Sequence, residues 1–110
     1  MINDELIALN EVFNNGQSIY FYQDEISNVW ATWGYSAYLL SHIDGIKCLI
    51  SFSDKIQMPC ACITAADFKG IVKDNMNTIE CKDGFYLLSA KEKVDTNAYQ
   101  NWVASLKQTI

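Results

Sequence analysis

The sequence predicts one α+β domain over residues 1–110, with a largely antiparallel sheet of about five to six strands and about three helices. Half of the residues are apolar and 13% are aromatic, which is enough for one packed core in a chain of 110 residues. Helical and strand patterns follow each other in the order helix, strands, helix, hairpin, helix. Because strands and helices do not alternate regularly, we expect helices to cover an antiparallel sheet.

The first element is a predicted helix that Asn3 caps and Gly16 ends. One side of this helix is acidic, and apolar residues recur at helical spacing on the other: Ile2, Leu6, Leu9 and Phe13. Residues 18–22 then alternate Ile19 and Phe21 with tyrosines, which predicts a strand with one face inward.

Residues 27–43 fit two patterns. A helical stripe runs through Ile26, Trp30, Trp33, Ala37 and Leu40. Gly34 and many β-preferring residues favour instead one long strand bent at Gly34, and this is our prediction. Asp44 and Gly45 then predict a tight hairpin turn, with the returning strand over residues 46–52.

Cap patterns predict the remaining helices. A strand over residues 56–63 leads to Thr64, the predicted N-cap of a helix that starts at Ala65, with Asp67 three residues further on. Residues 76–81 and 85–90 form a predicted hairpin around Asp83 and Gly84. Asp95 caps the last helix, whose apolar stripe is Trp102, Val103, Leu106 and Ile110.

Charge limits the class of partner. The formal net charge is −5 and all eight cationic side chains are lysines. Arginine dominates bidentate recognition of phosphate and guanine, so we expect no binding of nucleic acid by this chain unaided. The acidic start and the lack of a long apolar run predict neither secretion nor membrane insertion, and hence a cytoplasmic protein.

No catalytic set is visible in the sequence. The lone histidine, His42, faces Lys47 in the predicted hairpin, while Cys48 lies on the other side of the sheet. Cys60 and Cys62 have a metal-like spacing, but structural zinc sites use turns between their cysteines. We therefore predict no enzyme, no cofactor and no metal, with the cysteines as reduced core residues.

Four aromatic residues are the predicted contact surface for a partner: Trp30, Trp33, Tyr35 and Tyr38. Tryptophan and tyrosine carry much of the binding energy at protein interfaces. The alternative is that at least two of them form a wall of the core.

Two segments resemble DNA polymerase sliding-clamp domains. The run from Val29 to Leu39 is similar to a clamp strand, and Ile63 to Phe68 open a helix after a strand, followed by the Asp83-Gly84 turn. The chain departs from the family in Trp33, where an aspartate is usual, in lacking the opening strand, and in ending on a helix. The resemblance implies a clamp-like fold and an oligomeric, DNA-associated ring lined by basic helices.

The residues themselves favour a different function. We expect a non-enzymatic protein-interaction domain, of phage or mobile-element type, that binds a protein partner through an acidic and aromatic surface. A clamp-like oligomeric module that associates with DNA is the alternative, and homo-oligomer formation is compatible with both.

Overall fold

The computed structural model describes residues 4–14, 16–24, 28–43, 45–74, 79–80, 85–89 and 93–108. The helices are α1 (Asp4–Phe13), α2 (Tyr35–Ser41), α3 (Ala65–Asp74) and α4 (Thr96–Gln108). The strands are β1 (Ser18–Asp24), β2 (Val29–Trp33), β3 (Leu49–Ser53), β4 (Met58–Thr64), β5 (Ile79–Glu80) and β6 (Phe85–Ser89). The α+β class is confirmed, with one helix more than predicted.

The strands form one antiparallel sheet in the order β3-β4-β2-β1-β6-β5. Side chains alternate between its two faces, so the register assigns each residue to one of them. The first face carries Ile19, Phe21 and Trp30, and the second carries Tyr20, Tyr22 and Trp33.

A larger core lies on the first face, under α2 and α3. Its buried members include Phe21 and Trp30 from the sheet, Leu40 from α2, and Phe68 and Ile71 from α3. A smaller core lies on the second face, where Ile7 of α1 packs against Tyr22 and Phe85. Among the described residues, no helix is long and apolar enough to cross a membrane.

The prediction of one long strand over residues 27–43 is wrong. β2 ends at Trp33, and Gly34, with φ 60° and ψ −132°, turns the chain into α2. Ala37 and Leu40 are buried one helical turn apart, so the helical stripe is the better interpretation of the residues after Gly34. The prediction of a hairpin around Asp44 and Gly45 is wrong for its described flanks, because Ser41 belongs to α2 and β3 begins only at Leu49; Asp44 itself lies outside the described residues.

Two of the three predicted helix caps, Thr64 and Asp95, are confirmed. Thr64 Oγ1 accepts the Asp67 backbone N–H at 3.2 Å, and Asp95 Oδ1 accepts the Asn97 N–H at 3.0 Å. β5 and β6 pair as the predicted second hairpin, whose Asp83-Gly84 turn lies outside the described residues, as do Ile2 and Asn3.

Candidate functional site

The two predicted tryptophans lie on opposite faces of the sheet. Trp30 is only 7% exposed and stacks on Phe68 of α3, with ring centroids 3.9 Å apart and planes at 14°. Trp33 is half-buried on the second face, where its ring meets Tyr22 edge to face at 5.7 Å. Trp30 is therefore a wall of the larger core, as the alternative interpretation had it.

The two predicted tyrosines lie on α2 and pack against α4. Tyr35 contacts Tyr99 with centroids 4.6 Å apart, and Tyr38 contacts Trp102 at 5.4 Å. Burial, with a smaller effect of the Glu11 charge, raises the pKa of Tyr99 to about 12. The structure thus distributes the four predicted residues over three places, and their role in partner binding stays a prediction.

Large apolar side chains of α1 point to solvent. Leu9 is 54% exposed, and Val12 and Phe13 are each 76% exposed. Their spacing of three and four residues places them on one side of the helix, which we call the α1 apolar face. Leu9 and Phe13 belong to the apolar stripe that the sequence predicts for this helix, and Val12 does not.

The side of α1 that is buried contains a charged residue. Ile7 and Glu11 are its buried members, and Asn14 follows at the next helical step. Glu11 Oε2 accepts the Ser36 hydroxyl at 2.8 Å, and Oε1 accepts the Ser36 backbone N–H at 3.3 Å. The carboxylate therefore caps the first turn of α2, and this contact turns Leu9, Val12 and Phe13 outward.

The side chains of Ser36 and Asn14 also form hydrogen bonds with the backbone of β1. β1 pairs with β2 only from Tyr22 onward, although β2 itself continues to Trp33 beside β4. The Tyr20 N–H donates instead to Ser36 Oγ at 2.9 Å, and Asn14 Nδ2 donates to the Ser18 carbonyl at 2.8 Å. Side chains thus bond backbone groups of β1 in the stretch where β1 and β2 are not paired.

Burial raises the pKa of Glu11 from its ordinary value of 4.5 to about 6, although the hydrogen bonds from Ser36 and Asn14 oppose the shift. A buried carboxylate with a raised pKa is a common feature of catalytic sites. All the bonds described for Glu11 lead, however, to groups that hold α1, β1 and α2 together. Its position fits a structural role.

An open groove of about 590 Å³ lies between α3 and the start of β2. Trp30, Phe68 and Tyr86 form its aromatic part, and Lys69 and Lys73 of α3 lie on it as well. The groove thus combines aromatic rings with two lysine side chains that lie one helical turn apart.

The nucleophiles and the histidine are not assembled into a reactive set in the part of the chain described. His42 Nδ1 lies 2.7 Å from the Tyr38 carbonyl oxygen and 2.9 Å from Ser41 Oγ. The Cys48 thiol is directed to the Leu40 carbonyl, 4.0 Å away. Within the described ranges, no three His, Cys, Asp or Glu side chains come together as a metal site.

Comparisons with protein-family models, with curated proteins and with solved structures found no match to this chain. The similarity to sliding-clamp domains therefore stays a prediction.

Proposed function

We propose that the chain is a non-enzymatic protein-interaction domain that binds a protein partner through the α1 apolar face. The observation that carries this proposal is the exposure of Leu9, Val12 and Phe13 side by side on one helix. Single exposed apolar residues are ordinary, but a contiguous group of large ones marks an interaction site.

The spacing of the three residues fits a known recognition mode. An amphipathic helix commonly binds by laying anchors at i, i+3 and i+4 against an apolar surface of its partner. Burying one such side chain in the interface contributes about 1.5–3 kcal/mol to the free energy of binding. The buried bonds of Glu11 hold α1 on the sheet before binding, so little ordering is required of the helix itself.

Charge indicates which partner fits. The chain has a net charge of −5 and no arginine, and Asp4 and Glu5 form the first turn of α1. Asp4 is paired with Lys55 at 2.7 Å. An apolar surface rimmed by lysine or arginine complements this helix better than nucleic acid does.

Of the four aromatic residues predicted from the sequence, Trp33 supports the same region, because it packs on the smaller core together with Leu6 of α1. A cytoplasmic location accords with this function and is part of the proposal.

Site-specific photocrosslinking in the host cell tests the proposal. A photoreactive amino acid replaces Val12, and in the control it replaces Gln100, which is exposed on α4. We expect a discrete adduct with one partner from position 12 only. Equal adducts from both positions, or adducts only with a second copy of this chain, would contradict the proposal.

The partner so identified is then purified and its affinity measured. Phe13→Ser should weaken binding by about tenfold or more, which corresponds to the loss of one anchor. The matched control is Leu49→Ser, since Leu49 is 80% exposed but lies on the edge strand β3. Loss of binding by the Leu49 variant alone would move the interface to that edge.

A clamp-like, DNA-associated oligomer is the alternative, and Lys69 and Lys73, both exposed on α3, are the observation that favours it. Light scattering and a DNA mobility assay at low salt distinguish the two functions. A monomer or dimer that shifts no DNA excludes the clamp alternative.

A further inference from the structure

Two thiols lie side by side on the second face of the sheet. Cys60 and Cys62 project from β4 in the same direction, and their Sγ atoms are 3.7 Å apart. Cys60 is buried, whereas Cys62 is half-buried. The pair is not part of the proposed protein-binding surface on α1.

The strand geometry keeps this pair reduced. Residues two apart in an extended strand are separated by roughly 6.6 Å between Cα atoms, close to the upper limit for a disulfide. β4 cannot shorten that distance easily, since β3 pairs with one of its edges and β2 with the other. We expect the thiols to remain available as ligands rather than to join.

The surroundings favour a soft metal ion. Met58 lies on the same face of β4 two residues before Cys60, which gives a row of three sulfur side chains. The positions that pair with Cys60 and Cys62 on that face are Trp33, Ala31, Leu49 and Ser51, none of which supplies a carboxylate or an imidazole. Thiolate and thioether ligands suit Cu(I), zinc and iron–sulfur clusters, and the latter two usually take four ligands, so a site with two thiols fits Cu(I) best.

We propose that Cys60 and Cys62 form a binding site for one Cu(I) ion. At a metal–sulfur bond length of roughly 2.3 Å, the Sγ separation of 3.7 Å corresponds to a sulfur–metal–sulfur angle of about 107°. Rotation of the half-buried Cys62 side chain would widen the angle towards linear coordination.

The binding step is a proton exchange without oxidation or reduction. Both S–H bonds break, two Cu–S bonds form, two protons pass to the solvent, and the copper remains Cu(I). Both thiols must lose their protons before they bind the metal, so affinity should rise with pH as the metal competes with protons.

Anaerobic titration with Cu(I) against the chelator bicinchoninate tests the site. The parent protein and a C48S/C81S variant should each retain one Cu(I) per chain. In C60S/C62S, affinity should fall by more than about a hundredfold, because loss of an outer-shell group alone reduces it by about 10- to 100-fold. Circular dichroism checks that each variant is folded.

X-ray absorption of the loaded parent gives an independent readout, with only sulfur expected in the first coordination shell. Nitrogen or oxygen ligands there would overturn the proposal. Retention of parental affinity by C60S/C62S, or loss of the ion from C48S/C81S, would overturn it as well.

Discussion

The Ser36 hydroxyl donates to Glu11 Oε2 at 2.8 Å while it accepts the Tyr20 backbone N–H at 2.9 Å. One side chain thus joins α1, α2 and β1 in the stretch where β1 and β2 are not paired. The α1 apolar face depends on this contact, because burial of Glu11 determines which side of the helix faces solvent.

Ser36→Ala should destabilise the fold by about 1.5–3 kcal/mol, since it removes the hydroxyl that donates to the buried Glu11 carboxylate and accepts the Tyr20 N–H. Urea unfolding at neutral pH measures the change. Ser105→Ala is the control, because Ser105 is exposed on α4 and bonds only locally to the Trp102 carbonyl. A Ser36 variant as stable as the control would contradict the structural role of this contact.

The pH dependence of stability follows from the pKa of Glu11, raised from 4.5 to about 6. The folded state binds this proton more tightly than the unfolded state, so the stabilising contribution is fully present below about pH 4.5 and is lost as the pH rises through about 6. The difference is about 2 kcal/mol for one such group.

Glu11→Gln should remove the pH-dependent contribution of Glu11 to stability. The difference in unfolding free energy between variant and parent should therefore change between about pH 4.5 and pH 6. Urea unfolding from pH 4 to pH 8 measures it. Glu5→Gln, an exposed glutamate of the same helix, controls for the loss of one charge. If the two variants show the same pH profile, Glu11 does not titrate as described.

Local hydrogen bonds explain which elements the sequence could predict. The Thr64 cap joins residues three apart, and the alternation of Ile19 and Phe21 needs only the partner strand, so both patterns can be identified in the sequence. The change from strand to helix at Gly34 was missed because the residues after it have mixed preferences. The start of the helix at this point depends on the capping of α2 by Glu11. This contact joins Glu11 to Ser36, 25 residues apart in the sequence, so local patterns do not show it.

The candidate interaction surface was missed for the same reason. Periodicity shows that α1 has two sides, and the apolar side is normally the buried one. Here the buried side includes Glu11 because its partners Ser36 and Asn14 satisfy the carboxylate. The spacing of Leu9, Val12 and Phe13 does not show the hydrogen bonds of Glu11 to Ser36 and Asn14.

Two phenylalanines should respond in opposite ways to truncation. Phe68→Ala removes a buried ring that stacks on Trp30 and should destabilise the fold by about 3–5 kcal/mol. Phe13→Ala removes a ring that is 76% exposed and should change stability by less than about 0.5 kcal/mol. Thermal and urea unfolding of both variants measure the effect. A large loss from Phe13→Ala would mean that the outer side of α1 is buried.

Glycine at position 34 is required by the backbone and by space. Its φ of 60° is unfavourable for other residues, and a Cβ there would lie 2.8 Å from Glu11 Oε1. Gly34→Ala should therefore destabilise the fold by about 2 kcal/mol or more, through strain and displacement of the carboxylate from Ser36. Gly70→Ala is the matched control, because Gly70 lies within α3 and a Cβ there meets no atom within 4 Å. Alanine at position 70 should stabilise the protein by about 0.5–1 kcal/mol. The two substitutions should thus shift the melting temperature in opposite directions, and a Gly34→Ala variant as stable as the parent would show that the turn at Gly34 tolerates a side chain.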